Sequence, residues 1–123
     1  MPAQVGEIIA RAREALPGVR LRAHFHNTRN TGIANTHAAV AAGSMRSMRA
    51  GGGIGGCPFA PAATGNIPTE DLVYMLERSN VTNRGRSRQL IATGAKHRQT
   101  LGKPVPSMLL KAGGFPKPAQ RAA

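Results

Sequence analysis

Eight residues constrain this chain more than any other stretch: Val19–His26, VRLRAHFH, alternates strictly between apolar and polar side chains. Val19, Leu21, Ala23 and Phe25 fall on one side and Arg20, Arg22, His24 and His26 on the other, the period of a β-strand with one buried face. Helical spacing flanks it on both sides. Before it, Val5, Ile8, Ile9, Ala12 and Leu16 recur at three- and four-residue steps across 4–16, until Pro17 and Gly18 stop the pattern. After it, the turn-like NTRNTG of residues 27–32 leads into an Ala-rich helix over 33–42, closed by Gly43. A strand, a short loop and a helix make the repeating unit of an α/β fold, in which ligand chemistry gathers at the C-terminal ends of the strands.

His24 and His26 lie at that end. Side chains two apart on a strand point the same way, with Cα atoms roughly 7 Å apart. Two imidazoles so placed can share one metal ion; two surface histidines on an edge strand have the same spacing. His37, inside the following helix, reads as a surface residue.

A second information-rich stretch is Gly51–Tyr74, GGGIGGCPFAPAATGNIPTEDLVY. Five glycines describe a mobile or tightly folded loop with Cys57, the only cysteine, at its tip. Proline then stiffens the chain, and Thr69 with Glu70 and Asp71 has the look of a helix start: a hydroxyl cap followed by acids facing the positive end of the helix dipole. The helix runs to about Arg78 and buries Leu72, Val73 and Leu76. Between Gly43 and the glycines, residues 44–50 (SMRSMRA) occupy the place of a second strand, although their pattern is poor and β-branched residues are absent. Residues 87–101 predict a weaker, basic helix, and 103–123 an irregular basic tail.

At 123 residues the chain has room for one domain of ordinary size. Hydrophobic residues make up 41% but aromatics only 3%, so any core is thin and built from Ala, Val, Ile and Leu. The formal net charge is +12, which permits attraction to nucleic acid or to phosphorylated ligands. Against nucleic acid, the cations are scattered from Arg11 to Arg121, and so few aromatics leave no platform for stacking bases. No apolar run approaches the roughly 18 to 20 residues that span a membrane, and the N-terminus lacks the apolar core of a signal peptide. A lone cysteine forms no internal disulfide, and with no leader the expectation is a reducing, cytoplasmic setting.

HFHNTRNTGIAN, then GGIGGCPFAPAATGNIPTEDLVYML, then PVPSMLLKAGGFP resemble the C-terminal part of the hydroxymethylglutaryl-CoA lyase family, metal-dependent (β/α)8 TIM barrels that cleave acyl-CoA substrates. The resemblance runs from about Pro2 to Pro116. The His-x-His strand is shared with related synthases, whereas the Gly-Gly-Cys-Pro loop, with Gly-Asn and Thr-Glu-Asp-Leu-Val-Tyr after it, is particular to the lyases. The resemblance implies retro-Claisen cleavage of a 3-hydroxy-3-methylglutaryl-CoA type substrate to acetyl-CoA and acetoacetate. It implies that His24 and His26 bind a divalent cation, Mg²⁺ or Mn²⁺, that Asn66 adds an oxygen ligand, and that Cys57 is the catalytic loop thiol that moves a proton.

A full barrel needs eight strands and about 250 residues. The expected fold is therefore α/β: residues 1–102 as an incomplete barrel of about two strands with three to four helices, beginning where the family's sixth helix begins, and 103–123 as the tail. By the same resemblance, the family's first two strands supply the carboxylate ligand, an arginine and a further acid, and none of these maps here. The isolated chain is expected to be catalytically incompetent, with exposed apolar faces that favour self-association or a complementing N-terminal part of the barrel. The alternative from another class is a basic nucleic-acid-binding or scaffold protein that retains the motifs as relics.

Overall fold

The structure is a computed structural model, and it describes residues 1–44, 46–48, 50–56, 59, 62, 65–82 and 87–115. The chain divides into two compact units, one made of Met1–Ala50 with Ile54–Ile67, the other of Gly51–Gly53 with the chain from Pro68 onward.

The first unit is built on the alternating strand. α1 (Pro2–Ala15) precedes β1 (Arg22–His24), and α2 (Gly32–Ala41) carries the chain over to β2 (Arg46–Met48). β1 and β2 pair in parallel, with Arg22 opposite Arg46 and His24 opposite Met48. Parallel neighbours require a crossover, and α2 supplies it. The strand placed at 44–50 on context alone is therefore present. β1 is shorter than the alternation, ending at His24, and His26 instead makes an isolated antiparallel bridge with Asn66.

Val5 and Ile9 of α1 pack on Ala39 of α2, with Leu21, Ala23 and Phe25 of the strand segment against them. Arg22 and His24, on the alternate side, are exposed. The small side chains Ala38, Ala39 and Ala42 in this cluster let α2 approach closely. Only part of the apolar stripe read from 4–16 is covered: Ile8 and Leu16 stay 65% and 54% exposed, as does Val19 at 57%. The stripe is wider than the surface that β1 and α2 offer it.

α2 begins where a side chain would be in the way. A Cβ on Gly32 would lie 2.8 Å from Ile67 Cγ1 and 2.9 Å from the His26 carbonyl oxygen. The Gly32 N–H is received by Asn27 Oδ1 at 3.0 Å, and the buried Thr36 hydroxyl donates to the Gly32 carbonyl at 3.0 Å. At the other end, Arg13 of α1 donates to the Gly43 carbonyl at 2.6 Å, a cation on the negative end of α2.

In the second unit, Gly51–Gly53 forms a 3-10 turn in which Gly52 and Gly53 take φ of +69° and +73°. Left-handed backbone of this kind is what the glycine run makes cheap. α3 (Thr69–Arg78) buries Leu72, Val73 and Leu76, and α4 (Ser87–Leu101) follows. Thr69 is the first helical residue rather than the cap, which is Pro68, and no side-chain cap is made. The two acids of that first turn serve tertiary contacts instead. Glu70 is 1% exposed and receives the Gly52 N–H on both carboxylate oxygens, at 3.0 and 3.1 Å.

Asp71 reaches the segment read from sequence as irregular tail. There Val105, Ser107 and Leu109 are buried and α5 (Leu109–Ala112) forms. Asp71 Oδ1 receives the Ser107 hydroxyl at 2.7 Å and the Leu109 N–H at 2.9 Å, while Oδ2 receives the Met108 N–H at 2.8 Å. A four-residue helix has little stability of its own, so this remote carboxylate holds its first turn.

Two substitutions test these contacts by urea unfolding followed by circular dichroism. Gly32→Ala is expected to cost about 1–3 kcal/mol, because backbone and a packed isoleucine must move to admit the methyl. Asp71→Ala is expected to cost about 1–3 kcal/mol by stranding partly buried donors, with faster amide exchange confined to 107–112.

Candidate active site

The two histidines meet as the alternation requires. Their ring centroids are 5.0 Å apart, edge to face at 78°. His24 is exposed and His26 half-buried. His37 is exposed on α2.

Asn66, distant by forty residues of sequence, reaches them through backbone. The segment 65–67 passes the C-terminal side of both strands: Asn27 N–H donates to the Gly65 carbonyl at 3.0 Å, and Ala50 N–H donates to the Ile67 carbonyl at 3.2 Å. Between these two bonds Asn66 bridges His26. Its side chain is oriented by a further contact, Nδ2 donating to the Ile54 carbonyl at 3.1 Å. The turn after His26 is held by Asn27, whose Nδ2 donates to Asn30 Oδ1 at 3.2 Å while its carbonyl receives the Asn30 N–H at 2.9 Å. Asn30 takes φ of +55°, a conformation asparagine tolerates.

The residues whose backbone meets at the strand ends carry two imidazoles and one carboxamide. Imidazole nitrogen and amide oxygen suit a divalent cation of intermediate hardness such as Mn²⁺. They supply part of a six-fold sphere, and a hard cation would draw the rest from carboxylate and water. Among the described residues, no three His, Cys, Asp or Glu side chains come together as a metal cluster. Four of the chain's five acids have partners elsewhere. Glu7 pairs with Arg11 on α1, and Glu14 lies near the end of that helix. Glu70 holds Gly52, Asp71 holds 107–109, and Glu77 receives the Ser87 N–H. The residues present therefore fit a divalent cation as a partial set of ligands. Cys57, the expected catalytic thiol, lies outside the described residues.

Sequence reasoning missed the positions that deliver Asn66, since Gly65 and Ile67 act through their carbonyls and no side chain advertises them. It also missed the burial of Glu70. A signal for that existed, because Glu70 stands three residues before Val73, on the helix stripe that Leu76 continues.

The profile of the HMGL-like family matches residues 1–97. The chain belongs to that family. Among relatives of HMGL-like sequence, the (R)-citramalyl-CoA lyase of Chloroflexus aurantiacus is 43% identical over 113 residues, covering 92% of this chain and 36% of that protein. The hydroxymethylglutaryl-CoA lyase of Bacillus subtilis is 36% identical over 110 residues, covering 89% of this chain and 37% of the other. An HMG-CoA lyase structure from Acinetobacter baumannii, in complex with coenzyme A and 3-methylmalate, superposes with a TM-score of 0.89 at 41% identity, over 96% of this chain and 39% of that one. The chain thus spans between a third and two fifths of the length of these HMGL-like proteins. Their barrel fold accounts for the parallel β1–α2–β2 arrangement, which is the unit such barrels repeat. Among the described residues, no helix is long and apolar enough to cross a membrane.

Proposed function

We propose that this chain carries the C-terminal share of a hydroxymethylglutaryl-CoA lyase type active site, with His24, His26 and Asn66 as ligands of Mg²⁺ or Mn²⁺ and Cys57 as the proton-transferring thiol. The observation that supports it most is the bridge that sets Asn66 beside His26 at the C-terminal ends of two parallel strands, where barrel enzymes of this architecture do their chemistry. The substrate class is an acyl-CoA bearing a tertiary hydroxyl, in keeping with relatives named for hydroxymethylglutaryl-CoA and citramalyl-CoA and with a related structure that holds coenzyme A.

In the proposed reaction a base takes the hydroxyl proton, the hydroxyl carbon becomes a ketone, and the adjacent carbon–carbon bond breaks. The bonding pair passes into the thioester enolate. Protonation of that enolate yields acetyl-CoA, and the ketone fragment leaves as acetoacetate. A bound divalent cation supplies Lewis acidity at the substrate oxygens. His24 holds its position by the strand, His26 by its bridge to Asn66, and Asn66 by the backbone bonds on either side of it. A thiol of ordinary pKa, about 8.5, is close enough to neutrality for Cys57 to give or take a proton when its surroundings adjust it.

Among the described residues no carboxylate joins the histidines in a metal cluster, and catalysis requires a complementing part of the barrel. The exposed Ile8, Leu16 and Val19 are apolar surface suited to such a part, or to a second copy. The soluble setting of the reaction is proposed to be the cytoplasm.

Isothermal titration of the 123-residue chain with Mn²⁺ is expected to show binding that His24→Ala and His26→Ala each weaken by at least about 10- to 100-fold, the loss that removing even a supporting group produces. The same chain is expected to release no acetoacetate from hydroxymethylglutaryl-CoA with Mg²⁺ present. Turnover by the chain alone would refute the need for a complementing part. Salt-sensitive retention on DNA without Mn²⁺ binding would refute the lyase reading itself.

A further inference from the structure

Asn66 meets His26 through its backbone and the neck of the glycine loop through its carboxamide. We infer that it connects them: its Nδ2 clasps the loop neck at Ile54 while its Oδ1 is the end offered to the cation, so that cation binding and closure of the clasp reinforce each other. This rests on the proposed role of Asn66 as a ligand.

Hydrogen-bond polarity carries the first half of the argument. The group facing the Asn66 amide is the Ile54 carbonyl, an acceptor with no proton to give, so the nitrogen end must point at it and the oxygen end must point away. An asparagine clasped in this way has its ligand atom already turned from the loop. The clasp also depends on a particular neighbour. Gly55 takes φ of +114°, and a Cβ there would stand 2.7 Å from Asn66 Nδ2. Any side chain at 55 would push the amide off the Ile54 carbonyl.

The second half concerns which partner yields. The Asn66 backbone is held on both sides, by the bridge to His26 and by the bonds at Gly65 and Ile67. Ile54, Gly55 and Gly56 are exposed. Among the described residues, the exposed hydrogen bond to Ile54 fixes the rotation of the amide about χ2. A cation on Oδ1 removes that rotation and keeps Nδ2 aimed at Ile54. By reciprocity, a neck held closed raises cation affinity by the same factor. Asn66 and Gly55 are in this sense positioning residues, acting on the neck and on the ligand atom.

The test is hydrogen exchange at the Gly55 and Gly56 amides of the 123-residue chain, in Mn²⁺ and in chelator, alongside Mn²⁺ titration. In the wild-type chain Mn²⁺ is expected to slow exchange by about fivefold, the low end of coupling between sites. Asn66→Asp keeps an oxygen donor and removes the N–H, so it is expected to bind Mn²⁺ at least as tightly while losing the slowing. Gly55→Ala keeps every proposed ligand residue but displaces the amide, and is expected to weaken Mn²⁺ binding by a similar factor. Slowing that persists in Asn66→Asp, or Mn²⁺ binding by the wild type with no change in exchange, overturns the connection and leaves the metal site standing. Absence of Mn²⁺ binding to the wild type overturns both.

Discussion

Two backbone hydrogen bonds, Asn27 to Gly65 and Ala50 to Ile67, determine where the chemistry of this chain can lie, because they draw one short segment across the ends of two parallel strands. Everything that makes the site a site depends on that crossing. It places Asn66 against His26, which the strand alone leaves at the edge of a two-stranded sheet. It puts Ile67, fully buried, against the glycine at which α2 begins, so that helix, turn and the segment 65–67 fit only at one spacing. The interaction is backbone to backbone, and its position is set by strand register and by the turn that Asn27 and Asn30 hold after His26.

The acids show how a small, basic chain allots its few negative charges. Glu70 and Asp71 are adjacent in the first turn of α3, yet one turns inward to the Gly52 amide and the other reaches 107–109. A carboxylate accepting backbone N–H groups makes charge-assisted bonds, stronger than neutral ones. With so few aromatics to build a core, such bonds organise the second unit around α3. The cost is chemical: Glu70, Asp71 and Glu77 each hold a backbone amide, and among the described residues no carboxylate joins the two histidines in a metal cluster. The same economy that stabilises the fold leaves the proposed cation short of its hardest ligand.

The apolar surface has a comparable imbalance. α1 carries a stripe wider than the strand segment and α2 together cover, which leaves Ile8 and Leu16 in solvent. Along the strand segment the sides divide cleanly, Leu21, Ala23 and Phe25 against the helices and Arg22 and His24 away from them. In a barrel the latter is the side that other strands enclose. A chain covering between a third and two fifths of the length of its lyase relatives has the helix-facing layer of its β/α units and only part of the layer they surround.

Local chemistry was enough to read the strand, the helices from 2 to 101 and the pairing of His24 with His26, since a period of 2 or 3.6 and the placing of Pro and Gly depend only on near neighbours. The glycine run likewise reads as a tightly folded loop, and Gly52, Gly53 and Gly55 take the positive φ that glycine makes available. The family, too, was legible, because its motifs are contiguous. What only the tertiary structure decided are contacts between residues far apart in the chain: the Asn27–Gly65 and Ala50–Ile67 bonds that set Asn66 beside His26, Asp71 on the start of α5, and the Glu70 carboxylate on the Gly52 N–H. Each of these depends on a backbone amide or carbonyl as one partner. Such groups are the same in every residue but proline, so the sequence carries no mark of which ones a fold will bring together.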